Sequence, residues 1–177
     1  LDPLLEASKQ DMPILDLAQA IANRVSLLEN ASEDEVGIDP HFWMSPKNAI
    51  AMTEAICDAL VQADPAHAPV YQTNSETQLT LLRALDLEYE TTLRDLPRHE
   101  FIAFHDAYSY LAHDYGLKQV ATFQLTPGEA PRPSQLVNIE TLVRTYNIRA
   151  LFVEPQSSPA IVEQIAKDLD VAVRELD

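Results

Sequence analysis

The chain has 177 residues, 28 of them Asp or Glu and 12 Lys or Arg, for a net charge of −16. Phosphate backbones and anionic membrane surfaces are held by clustered Lys and Arg, so this balance excludes both as principal partners and favours cations or neutral surfaces. A composition of 46% apolar and 23% charged residues is that of a globular chain of one domain or two small ones. No apolar run approaches the ~20 residues of a membrane helix. The single cysteine, Cys57, leaves no partner for an intrachain disulfide or a cysteine-based zinc cluster. With three glycines (Gly37, Gly116, Gly128), a glycine-rich phosphate loop is also excluded.

Residues 1–5 read as the inside of an amphipathic helix and 171–176 as a strand that would feed further structure, so a piece of a longer fold is expected at both ends. Residues 13–17 are a strand candidate, followed by a helical stretch over 18–28 and an acidic loop over 29–35. Ser45-Pro46 predicts a helix start, with Ser as cap and Pro at the first helical position. Ala49, Met52, Ile56, Ala59 and Ala63 then recur at three- and four-residue steps, which puts them on one face. Asp64-Pro65 repeats the start signal, and the next helix runs to about residue 96. At 1.5 Å per residue such a helix spans roughly 45 Å, more than one small lobe needs, which suits a rigid spacer between two lobes. Its apolar positions Leu82, Leu85, Tyr89, Leu93 and Leu96 keep a narrow stripe.

After Pro97 the pattern changes. Strands are expected at 101–104, 118–124, 149–153 and 171–176. Helices are expected at 107–115 (stopped by Gly116), at 135–146 (capped by Ser134) and from Ser158-Pro159 to 169, with a proline-rich loop over 126–134. Strands alternating with helices predict an α/β fold: a parallel sheet with right-handed crossovers and helices on both faces.

Open parallel sheets bind ligands beyond the carboxyl ends of their strands. The residues placed there are His105, the segment 126–129 and Glu154. His105 and Glu154 face one crevice in this reading, and an imidazole beside carboxylates suits a divalent metal or acid–base work; the alternative is a hydrogen-bonded structural His. The second cluster is Asp39-Pro40-His41-Phe42-Trp43, where proline fixes the backbone before His41 and aromatics flank its ring. Asp39 reads either as an outer acceptor for that ring or as a turn former. His67, His99 and His113 read as exposed polar positions, and Cys57 as a small core or boundary residue.

Three segments, Asp39-Pro-His-Phe-Trp-Met-Ser-Pro-Lys-Asn-Ala49, Phe104-His-Asp-Ala-Tyr-Ser-Tyr110 and Leu151-Phe-Val-Glu-Pro-Gln156, carry a resemblance across essentially the whole chain. In order and spacing it resembles the zinc and manganese substrate-binding proteins (cluster A-I) of bacterial ABC importers. The resemblance implies two α/β lobes joined by one long helix: 1–64 as the remainder of the N-terminal lobe, 65–96 as the linking helix and 97–177 as the C-terminal lobe without its last segment. It implies four metal ligands, of which His41 and His105 match the second and third; the first and fourth would lie outside residues 1–177. Zinc is the expected cargo and manganese the alternative, since nitrogen donors suit zinc better. The acidic segment 30–37 departs from zinc-type members, many of which carry a His-rich loop there.

The expected function is therefore non-enzymatic capture of Zn²⁺ outside the cytoplasmic membrane for an ABC permease. A periplasmic or extracellular location, a monomer and a lipid anchor through a segment outside this chain go with it. The competing readings are a surface adhesion module, as some relatives of this family are described, and a metallohydrolase built on His41 and His105, for which no general base is evident.

Overall fold

Among the described residues, proline opens three of the six α-helices and a left-handed residue closes three. The computed structural model describes residues 13–30, 37–124, 132–155 and 160–176. The expectations for residues 1–5, most of the acidic loop, the segment 126–129 and the Ser158-Pro159 helix start lie outside them.

The first described element is a short helix, α1 (Leu17–Ile21), where a strand was expected from 13 to 17. Asp16 decides the outcome: its carboxylate accepts from the Gln19 N–H at 3.1 Å and caps the helix, while Ile14 and Leu15 have no strand beside them among the described residues. The expected helix over 18–28 ends at Ile21. Beyond it the chain turns over 22–25, where the Arg24 and Val25 N–H groups donate to the Ile21 carbonyl, and Glu29 then forms an antiparallel bridge with Ile38.

Helix α2 (Pro46–Ala63) follows a 3₁₀ turn at Phe42–Met44. Its buried face is Asn48, Ala51 and Ala55, one step round from the expected stripe, and Ile56 and Leu60 are exposed. Alanine at 51 and 55 lets Ile21 approach closely, and these three form a small core with Val25, Leu27, Phe42 and Met52. Ser45 occupies the cap position without capping, because its hydroxyl donates instead to the Asp114 carboxylate.

A second 3₁₀ turn (Pro65–His67) leads into α3 (Ala68–Arg94), whose 27 residues give a rod of about 40 Å. Only Leu79 on it is buried; Leu82, Leu85, Tyr89 and Leu93 form the half-buried stripe expected from the sequence. That stripe runs along α2 first and then along the helix after β1.

The remainder is a four-stranded parallel sheet in the order β2-β1-β3-β4: β1 (Glu100–His105), β2 (Lys118–Gln124), β3 (Ala150–Val153) and β4 (Ala172–Glu175). Helix α4 (Ser109–Tyr115) connects β1 to β2, α5 (Pro133–Tyr146) connects β2 to β3, and α6 (Ala160–Leu169) connects β3 to β4. Strand side chains alternate between faces. Ile102, Phe104, Phe123, Leu151 and Val153 pack with Ile139, Val143, Val162 and Ala166 of α5 and α6, whereas Phe101 and Ala103 pack with Ala107, Tyr108 and Ala112 at α4.

Helices α4, α5 and α6 stop in the same way. Gly116, Asn147 and Asp170 adopt left-handed φ values of 67°, 52° and 55°. The next residue in each case returns its N–H to the carbonyl five positions back, at 2.9 Å. Ser134 lies within the first turn of α5 and is not its cap; the Arg132 N–H is held by the Gln135 side chain at 2.7 Å. Among the described residues no helix is long and apolar enough to cross a membrane.

Candidate metal site

Strand order fixes where chemistry is possible. The β1–α4–β2 connection leaves β1 in one direction and the route to β3 returns on the other side, so β1 and β3 flank the point where the topology reverses. Beyond the carboxyl ends of two such strands a crevice is left open. His105 is the last residue of β1 and Glu154 follows β3 directly, and the two meet there, Nδ1 to Oε1 at 3.3 Å. Both are largely sheltered, with 29% and 15% of their side-chain surface exposed.

The loop 38–44 comes to the same crevice from the helical side. Asp39 is buried, and one of its oxygens does two things: it accepts the His41 backbone N–H at 2.9 Å, closing the turn, and it meets the His41 ring Nδ1 at 2.8 Å. The two sequence readings of Asp39, turn former and outer acceptor, are thus one geometry. The Trp43 ring stands 5.5 Å from the His41 ring, edge to face.

His41 and His105, 64 positions apart in sequence, come together with ring centroids 5.1 Å apart and planes at 88°. A carboxylate beside Nδ1 holds the proton there in the neutral ring and leaves the lone pair on Nε2, the arrangement seen behind metal-ligating histidines. Two imidazoles bound at 2.0–2.1 Å to one tetrahedral ion also set their centroids about 5 Å apart. The centroid separation of the pair is therefore the one a shared ion requires. Among the described residues no group of three or more His, Cys, Asp or Glu is arranged to hold a metal.

Asp106 adjoins this pair. Burial first, and then the negative charge of Asp39, push its carboxyl above the ordinary range, while the two imidazoles act in the opposite sense. Sequence reasoning did not single out Asp106, since no spacing rule distinguishes it from a solvent-exposed acid after a strand.

His67 and His113 are exposed, each paired with a neighbouring Asp, as expected. His99 is not: it is half-buried with Nδ1 shut away from any partner, because it faces an apolar groove lined by Tyr89, Leu93, Phe101 and Phe152. Cys57 is half-buried on α2, in line with a boundary role.

Fold and site together define an α/β protein with paired imidazoles at a sheet switch point, an arrangement suited to a metal receptor. The profile of the family described as "Zinc-uptake complex component A periplasmic" matches residues 1–177, and the chain belongs to that family. It is 33% identical over 132 residues to the high-affinity zinc uptake system protein ZnuA of Bacillus subtilis, an alignment covering 75% of this chain and 41% of that protein. A crystal structure of ZnuA superposes with a TM-score of 0.84 at 31% identity, covering 99% of this chain and 67% of the other. The laminin-binding adhesin of Streptococcus agalactiae superposes at 0.81 with 28% identity, over 100% of this chain and 64% of that one. The chain spans between about a quarter and two fifths of the length of the curated relatives it matches.

Proposed function

We propose that this chain is part of an extracytoplasmic binding protein that captures Zn²⁺ and hands it to an ABC permease. The observation that carries the reading is the His41–His105 pair, brought to 5.1 Å from two distant parts of the chain, each ring backed by a carboxylate. His41 and His105 are its metal ligands and Zn²⁺ is its cargo, with Mn²⁺ second because two nitrogen donors favour zinc. The resemblance implies two further ligands, which this reading assigns to none of the described residues. In this reading residues up to 64 belong to one lobe, 65–96 form the linking helix and 97–177 belong to the second lobe, so the cargo sits between lobes. The protein acts as a monomer and needs no catalysis, only binding and release.

Calorimetric titration of Zn²⁺ and Mn²⁺ into this chain and into one extended at both ends tests the reading. Tight zinc binding by the extended chain, lost in His41→Ala and in His105→Ala, is expected. If the extended chain binds neither metal but binds laminin, the adhesin reading takes its place.

A further inference from the structure

The two imidazoles reach one another from parts of the chain separated by two helices, so something must fix the 38–44 loop against the β1–α4 segment. Tyr110 is placed to do this. It lies on α4, five residues after His105, and is 1% exposed. Its hydroxyl accepts the Leu28 N–H at 3.0 Å and is 3.1 Å from the Asp39 carbonyl, to which it donates, with the Leu28 carbonyl at a longer 3.4 Å. Leu28 and Asp39 are themselves paired, Asp39 N–H to Leu28 carbonyl at 2.9 Å, and the Glu29–Ile38 bridge follows directly. One hydroxyl therefore holds both sides of the base of the 29–38 loop. The ring is held too, edge to face with Phe42 at 6.5 Å.

We infer that Tyr110 is the positioning residue of the imidazole pair: it sets the 39–41 turn, and with it the His41 ring, relative to His105. This rests on the reading of His41 and His105 as ligands. Tyr110 touches neither ring. Its effect runs through the Asp39 backbone, whose side chain orients His41 at both its N–H and its Nδ1. Burial, first among the causes, pushes the hydroxyl's pKa up, which favours the protonated form that donates.

Removing only the hydroxyl isolates this role. Tyr110→Phe keeps the ring and its packing but leaves the Leu28 N–H and the Asp39 carbonyl without their buried partner. The control is Tyr115→Phe, which deletes another buried tyrosine hydroxyl on the same helix, bonded at 2.8 Å to Asp86 and away from the pair. In the intact protein, Tyr110→Phe is expected to weaken zinc binding about tenfold or more, the effect typical of losing a group that orients a metal ligand. It should also alter the visible absorption of bound Co²⁺, which reports ligand geometry. Tyr115→Phe should change neither, with urea unfolding used to establish that both variants are folded at the assay temperature. Wild-type affinity and an unchanged cobalt spectrum in Tyr110→Phe would overturn the inference and leave the zinc reading intact. Equal losses in both variants would also overturn it, since they would mark general loosening of α4. A wild-type protein that binds neither metal would instead remove the reading beneath it.

Discussion

Asp39 carries the sharpest consequence at the scale of single residues. Its buried carboxylate closes a turn and orients a ring through the same oxygen, so the two contributions separate by substitution. Asp39→Ala loses both, and zinc affinity of the intact protein should fall 10- to 100-fold. Asp39→Asn keeps an oxygen for the turn but not the charge beside the imidazole, and its loss should be smaller; competition against a chelator of known affinity measures both. An Ala variant as tight as wild type would mean the ring is oriented by Pro40 and Trp43 alone. His41, His105 and Glu154 were legible in the sequence because rules exist for them: a proline-fixed His between aromatics, and residues just past strand ends. Tyr110 was not, since its hydroxyl serves backbone atoms 71 and 82 positions away and nothing local marks it. The capping readings at Ser45 and Ser134 misplaced those hydroxyls for a related reason. A half-buried carboxylate at Asp114 competes for the first, and a glutamine side chain already satisfies the cap that the second would have filled.

Among elements, the junction of α2, α3 and α4 is built from charged and phenolic groups rather than from a core. Lys47 pairs with Glu90 at 3.0 Å and lies over the Tyr115 ring, and the Tyr115 hydroxyl donates to Asp86 at 2.8 Å. Deleting that hydroxyl in Tyr115→Phe should cost about 1–2 kcal/mol in urea unfolding at neutral pH, the cost of leaving a buried group short of a partner. The same junction sets an alkaline limit. The bond to Glu90 raises the Lys47 ammonium, and burial followed by Asp86 raises the Tyr115 phenol far above its ordinary range. Both groups hold their protons more firmly folded than unfolded. Their stabilisation is therefore complete below the ordinary values of about 10 and is lost as pH rises through the raised ones. Unfolding free energy should decline from about pH 10 upward, and less steeply in Tyr115→Phe; equal slopes would remove Tyr115 from the account. The order of elements after Pro97 was legible because strand runs and helix stops alternate cleanly. The strand expected at 13–17 failed because this five-residue segment, interrupted by Asp16, has no pairing partner among the described residues and Asp16 caps a helix instead. The buried face of α2 was displaced because pattern reading favours Ile56 over Ala51 and Ala55, whereas close approach of Ile21 selects the small residues.

For the whole molecule, the proposed role of the imidazole pair makes it a long-range cross-link once an ion is bound. His41 precedes α2 and α3 and His105 follows them, so an ion held by both ties the loop before the helical part to the sheet after it. The sheet order and the switch point that put His105 beside Glu154 follow from strand–helix alternation, which is why their meeting in one crevice could be read from sequence. The approach of His41 depends on how α2, α3 and α4 pack, which strand–helix alternation does not give; in the sequence it was implied by the family resemblance alone. Binding to the folded state alone stabilises it by RT ln(1 + [Zn]/Kd), about 2.7 kcal/mol at a hundredfold excess over Kd. Zinc should therefore raise the urea midpoint of the intact protein by an amount that grows with concentration. The rise should disappear in His41→Ala and equally in His105→Ala, because either leaves an incomplete set of nitrogen donors. The net charge of −16 attracts any divalent cation, so the measurement belongs at about 0.15 M salt, where exposed charges are screened over ~8 Å, with Ca²⁺ as the control. Calcium prefers six to eight oxygen ligands and should leave the midpoint nearly unchanged. A shift of equal size with calcium, or one that survives both substitutions, would assign the stabilisation to diffuse surface charge and not to the paired imidazoles.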